Sequence, residues 1–226
     1  MIARKAISKI GAYHLFMGIN RQDLALMTPD YRFKLVLDGC SRQAYSEVGV
    51  ALFGQMIQRV EGLNRYNFVK SVNQIFAHLT KALFRDDNQL ILQNLSFTIL
   101  AVFETDDAWV VLVCGDGYIL VQQDNELVAL ELSDGEYPRY FVYNWVDASV
   151  LLDYQDGVSF ETYEFPKAEY DGVGVATDGY RFVENIPDVV DRANFARRLI
   201  EHRSGKVEQL INKHQAVFGD DISIVF

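Results

Sequence analysis

Phe33-Lys34-Leu35-Val36-Leu37-Asp38-Gly39 is a short apolar run that stops at a carboxylate and a glycine. Runs of this length, rich in Val and Leu, read as strands buried on at least one face. A charge at the end of such a strand is costly to bury unless it is paired or bound to a cation. The pattern returns as Val173-Gly174-Val175-Ala176-Thr177-Asp178-Gly179, and a third acidic corner, Gly219-Asp220-Asp221, opens the strand Ile222–Phe226. The chain is expected to bring these corners together around divalent metal.

Asp-Gly is also a hairpin signal, because both central residues of a type I′ turn need positive φ, and the sequence holds six such dipeptides. Asp116-Gly117 lies between Val110–Cys114 and Tyr118–Gln122, and Asp156-Gly157 between Val150–Tyr154 and Val158–Tyr163, so both read as turns. After Asp38-Gly39 and Asp178-Gly179 no strand follows at once. These two make poor hairpins and sensible ligand corners.

The 226 residues carry no Pro/Gly/Ser-rich linker and no repeat, which favours a single domain over 1–226. Half of the residues are apolar, ample for a core, and the net charge is −10. That sign argues against general nucleic-acid binding and against docking on an anionic membrane. No stretch approaches the roughly 18 apolar residues of a membrane span, and the first residues lack a signal-peptide core. Cys40 and Cys114 are too few for a disulfide framework, and Cys114 reads as a small buried hydrophobe. A soluble cytoplasmic monomer is the expectation.

Taken in order, Ala6–Gly11 and Leu24–Thr28 read as a first hairpin joined by an irregular loop. Phe53, Met56, Ile57, Val60 and Val72, Ile75, Phe76, Leu79 follow helical spacing, predicting helices over 45–62 and 68–84, the second capped by Asn67. Segments 95–104, 108–114, 118–123 and 127–132 read as an antiparallel meander. An aromatic stretch, 137–146, precedes a hairpin over 149–165; a helical region over 191–215, interrupted at Ser204-Gly205, precedes the last strand. Strands in blocks with helix pairs between them point to an α+β layered domain. If the meander and the strands ending in Asp38 and Asp178 lie in facing sheets, helices can cover both outer faces and the carboxylates collect at one end.

Hard cations such as magnesium and manganese prefer carboxylate, carbonyl and water ligands. Asp38, Asp178 and Asp220 supply carboxylates, and the open backbone at Gly39 a carbonyl. There is no phosphate-binding Gly-x-x-x-x-Gly-Lys loop and no Gly-x-Ser-x-Gly elbow. Cys40 stands where an aspartyl-phosphate hydrolase would place its second Asp.

The order of motifs resembles the metal-dependent serine/threonine phosphatases of the type 2C family across nearly the whole chain. Gln22-Asp23 is similar to the early acidic motif and Val36-Leu37-Asp38-Gly39 to the first Asp-Gly. Ser46–Gly49 falls where the first long helix begins, and Val113–Gly117 resembles the Gly-Asp-Ser motif. Ala176–Gly179 and Gly219–Ser223 resemble the two closing motifs. Gly11-Ala12-Tyr13-His14 and Gly135-Glu136-Tyr137 look most like a divergent bacterial branch.

The resemblance implies a four-layer α/β/β/α sandwich of two antiparallel sheets flanked by helix pairs, with two divalent metals, manganese or magnesium, at the sheet edges. Asp38 would bridge the metals, Gly39 would add its carbonyl to one, Asp178 and Asp220 would ligate the other, and Asp23 would orient a water. Asp116 becomes a candidate for a third metal, both turn and ligand. A metal-bridging hydroxide would attack phosphorus in line. The substrate would be a phosphoprotein made by a partner Ser/Thr kinase.

The sequence departs from the family in three places. Gln22 replaces a Glu, Gly18 stands where the phosphate-binding Arg is expected, and Cys40-Ser41-Arg42 replaces a His-Gly-Gly, so no His general acid is evident. Arg21 and Arg42 are the candidates for phosphate binding, against the reading of each as an ordinary solvated cation. His14 and Gln22 are candidates for a supporting polar network. The alternatives to an active phosphatase are a metal-binding pseudophosphatase that holds a partner, and chemistry on a small phosphorylated metabolite.

Overall fold

A computed structural model describes residues 6–133, 138–151 and 156–226. Among these residues ten strands form two antiparallel sheets. The first contains β1 (Ile7–Lys9), β10 (Ile222–Val225), β9 (Gly172–Ala176), β6 (Gly117–Gln123) and β7 (Glu126–Leu132), in that order. The second runs β2 (Leu24–Met27), β3 (Phe33–Gly39), β4 (Phe97–Glu104), β5 (Ala108–Cys114) and β8 (Glu161–Pro166).

Side-chain alternation along the strands builds three cores and hence four layers. Val36 of β3, Leu100 and Val102 of β4, Val111 and Val113 of β5, Ile119 and Val121 of β6, and Val173 and Val175 of β9 fill the space between the sheets. The intervening residues point outward. Leu35, Leu37, Ile99, Ala101 and Phe103 meet α2 (Ser46–Ile57), α3 (Phe68–Ala82) and α4 (Asn88–Leu95) through Phe53, Phe76 and Leu95. Leu120, Ile222 and Ile224 meet α5 (Val189–Ile200) and α6 (Ser204–Lys213) through Phe195, Leu199, Val207 and Ile211. The four-layer α+β sandwich expected from the motif order is therefore the architecture, with three helices over one sheet and a pair over the other. Lys34, on the inter-sheet face, is buried and donates from Nζ to the Val173 carbonyl at 2.6 Å, tying β3 to β9.

Several local expectations are corrected. Ala6–Gly11 and Leu24–Thr28 do not form a hairpin: β1 pairs with β10 and β2 with β3, in different sheets. Their connection carries a short helix, α1 (Ala12–Met17). The four-strand meander also divides, since β4 pairs with β5 and β6 with β7, while β5 and β6 lie in opposite sheets. Gly115 (φ +112°) and Gly117 (φ +130°) flank Asp116 and let the chain cross from one sheet to the other. Asp124-Asn125, with φ +51° and +64°, makes the true hairpin turn of this region. Ahead of β4, and reaching only Leu95 of the expected strand 95–104, lies the unexpected α4, capped by Asp87, whose carboxylate accepts from the backbone N–H groups of Gln89 and Leu90.

Asn67 sits at the N-cap of α3, but its side chain turns back, accepting from Asn64 N–H and donating to the Gly62 carbonyl. The hairpin expected over 149–165 is absent from the described residues. Val150 ends a short 3-10 turn, residues 152–155 lie outside the described residues, and β8 pairs with β5. Gly135-Glu136-Tyr137 also falls outside them. The helical region breaks at His202 (φ +54°), just ahead of Ser204-Gly205, which open α6. Among the described residues no helix is long and apolar enough to cross a membrane.

Candidate metal centre

Strand direction gathers the acidic corners. β3 and β5 run alike because both are antiparallel to β4, so Gly39 and Cys114 finish at the same end of their sheet. In the facing sheet β6 starts near that end, β9 runs back toward it, and β10 leaves from it. β2, antiparallel to β3, also starts there. Asp23, Asp38, Asp116, Asp178 and Asp220 each occupy the end or the flank of one of these strands. The result is a cleft of about 320 Å³ whose lining includes Asp38, Gly39, Asp116, Asp178 and Asp220. Arg42 joins them from the exposed stretch after β3.

Asp38 is the hub. Its carboxyl lies within hydrogen-bond reach of both Asp23 and Asp178. Burial pushes its pKa well above the ordinary carboxylate range, and the charges of Asp23, Asp178, Asp116 and Asp220 push it further. Asp23, buried beneath, is raised by burial and then by Asp221, against hydrogen bonds from Thr177 and Asp38. Asp178 is raised by burial, opposed by Arg181, whose Nη1 stands 3.0 Å from its carboxylate. The two glycines after the acidic residues owe their place to close packing, since neither has positive φ. A Cβ on Gly39 would stand 2.7 Å from the Gln22 carbonyl oxygen, and one on Gly179 only 1.9 Å from that of Asp221.

Asp221 plays a different part. It is buried, and its carboxylate accepts from Gly11 N–H at 2.7 Å, Gln22 N–H at 2.6 Å and His14 Nδ1 at 2.9 Å. Because a carboxylate only accepts, His14 donates from Nδ1, and its Nε2 stands 3.7 Å from Asp220. Ligand-type atoms of His14, Asp220 and Asp221 lie within 4.8 Å of one another. With both oxygens of Asp221 already engaged, this trio is a clasp that holds β10, α1 and the start of β2 together.

The remaining candidates separate clearly. Gln22 is buried and donates from Nε2 to Ser46 Oγ at 2.8 Å, joining the approach to β2 with α2. Arg21 donates to the carbonyls of Asp23 (3.0 Å) and Ser8 (3.1 Å) and is not part of the cleft lining. Arg181 and Thr98 are not singled out by the sequence; Asp221 reads there only as part of the acidic corner Gly219–Asp221, and Tyr140 only as part of the aromatic stretch 137–146. The Asp178-x-x-Arg181 spacing is the local signal available for Arg181.

The residues fit hard divalent cations. The cleft carboxylates form an oxygen donor set suited to magnesium or manganese. Asp23 Oδ2 and Thr98 Oγ1 are buried beside them without a hydrogen-bond partner, as expected of groups that serve a solvated ion. Carboxylates raised by burial and then by mutual repulsion also gain most from a cation.

A family model described as Protein phosphatase 2C matches residues 10–212. A bacterial serine phosphatase structure superposes with a TM-score of 0.65 at 14% identity, covering 98% of this chain and 95% of the other. The serine/threonine phosphatase PstP/Ppp of Mycobacterium tuberculosis gives 0.63 at 14% identity, covering 98% and 95%. A PstP catalytic domain in complex with 2 manganese ions gives 0.60 at 14%, with the same coverage of 98% and 95%. At these identities the structural likeness carries the fold. A search of curated sequences returns no significant match.

Proposed function

The chain belongs to the protein phosphatase 2C family, a family of phosphoric monoester hydrolases, and from that premise we propose that it is a metal-dependent serine/threonine phosphoprotein phosphatase. The observation that carries this reading is the convergence of Asp38, Asp116, Asp178 and Asp220 in one cleft, with Asp23 buried beneath. Asp38, the Gly39 carbonyl, Asp178 and Asp220 would hold two divalent cations, manganese or magnesium, and Asp116 is the candidate for a third. When bound, the cations supply Lewis-acid charge and lower the pKa of water. Asp23 would hold Asp38 in place, and its buried, unpartnered Oδ2 would orient a water carried by the cations. Arg42, exposed at the rim, draws a phosphate anion toward the carboxylates. The substrate class is a phosphorylated serine or threonine presented by a protein that a kinase has modified.

The test is hydrolysis of p-nitrophenyl phosphate with and without manganese by wild type, Asp38→Ala and Asp178→Ala, with manganese binding followed by calorimetry. Manganese-dependent turnover lost in both variants, with folding intact, is the expected result. A second reading, a metal-binding pseudophosphatase, is favoured by one observation: Arg21 is committed to backbone carbonyls and leaves only Arg42 of the two candidate cations at the cleft. Metal binding that depends on Asp38 without any turnover would establish that reading instead. Absence of metal binding would sink both.

A further inference from the structure

We propose that the Tyr140 hydroxyl donates a hydrogen bond to a phosphoryl oxygen bound in the cleft. This rests on the phosphatase reading of that cleft and adds a residue that the motif comparison does not supply. A phosphate monoester dianion accepts hydrogen bonds and donates none, and the carboxylates of the cleft, once they hold cations, also only accept. Donors must therefore come from the walls. Ser41 and Arg42 are exposed there. Tyr140 is only 8% exposed and lines the same cleft as Asp38 and Asp116.

Its position is fixed from several sides. The Cys114 thiol donates to the Arg139 carbonyl at 3.3 Å, pinning the segment to the end of β5 beside Asp116. The Tyr140 ring packs edge-on against Tyr143 with centroids 5.7 Å apart, and the following residues wind into a 3-10 turn over Phe141–Trp145. The hydroxyl lies beside the Cys40 side chain, directly after the Asp38-Gly39 corner. A thiol sulfur is a weak partner, so a phosphate oxygen, charged and strongly accepting, competes well for the same O–H. A phenol is protonated at neutral pH, so the donor is present throughout the working range.

Tyr140→Phe removes the donor and keeps the ring. The full chain loaded with manganese is titrated with inorganic phosphate by calorimetry, beside KM and kcat for p-nitrophenyl phosphate, manganese affinity and thermal unfolding. The expected result is a loss of phosphate affinity of about tenfold or more, as for a hydrogen bond to a charged group. KM rises in step, kcat moves less, and manganese affinity stays within about twofold. Phosphate affinity unchanged in the variant would overturn the proposal. So would a parallel fall in manganese affinity, which would make Tyr140 a support for the metal ligands. Wild type that binds no phosphate would overturn it as well. If wild type binds phosphate but turns nothing over, the phosphatase reading fails while the calorimetry still decides the role of Tyr140.

Discussion

Asp221→Asn isolates the clasp that closes the acidic end of the sandwich. One oxygen of Asp221 accepts from Gly11 N–H and His14 Nδ1, the other from Gln22 N–H. Asparagine offers one acceptor oxygen and one NH2 group. The better orientation keeps Gly11 and His14 satisfied and turns the NH2 toward Gln22 N–H, setting two donors face to face. The lost charge-assisted bond is worth about 1.5–3 kcal/mol, and the two that remain weaken because their acceptor is now neutral. Removing the buried charge returns part of this, since Asp221 also repels Asp23. A net destabilisation of about 3 kcal/mol results, which at ~2–4 °C per kcal/mol for a chain of this size lowers Tm by roughly 6–12 °C. Urea and thermal unfolding of the metal-free protein at neutral pH, followed by circular dichroism, would read it. A variant within about 1 kcal/mol of wild type would show that the three donors find other partners and that Asp221 is no clasp.

Other perturbations give results of different sign. Asp38 and Asp23 have folded pKa values raised by burial first, then by neighbouring charge. Between the ordinary carboxylate range near pH 4 and those raised values the folded chain holds more protons than the unfolded one, so stability falls as pH rises. Tm of metal-free protein should therefore drop as pH rises above about 5, and manganese should flatten the curve; a rise without metal would contradict this. Phe53→Ala empties a site that is 0% exposed and in ring contact with Phe76 and Phe97. It should cost about 3–5 kcal/mol in denaturant titration. Gly179→Ala forces a Cβ to within 1.9 Å of the Asp221 carbonyl oxygen and should weaken manganese binding. Gly205→Ala, in open space within α6, should stabilise by about 0.5–1 kcal/mol.

What could be read from the sequence was whatever is encoded locally. The run Phe33–Gly39 alternates between two cores, and each acidic corner closes or opens a strand, so Asp38, Asp178 and Asp220 could be named without coordinates. Partnership between distant strands could not. Val110–Cys114 and Tyr118–Gln122 around Asp116-Gly117 have every local mark of a hairpin, yet burial on both faces placed them in opposite sheets. The signal that could have revealed the crossing was the pair Gly115 and Gly117, one glycine more than a two-residue turn requires. α4 escaped because its eight residues are short for periodicity to show. The failure to separate Arg21 from Arg42 is of the same kind, because the carbonyls that hold Arg21 belong partly to β1, a strand whose partner is more than two hundred residues away.

The acidic cleft straddles the seam between the two sheets. Asp38 and Asp23 belong to one sheet and Asp178 and Asp220 to the other, while the Val-rich layer and the Lys34–Val173 hydrogen bond keep the two in register. The spacing of the ligands is thus set by how far one sheet slides over its neighbour. Over- or under-filling the inter-sheet layer at Val36, Val113 or Val175 acts on the centre as a change of gauge, at a distance and without touching a carboxylate. An ion that bonds both sides would work as a rivet through that seam, so shear resistance and metal affinity should rise and fall together.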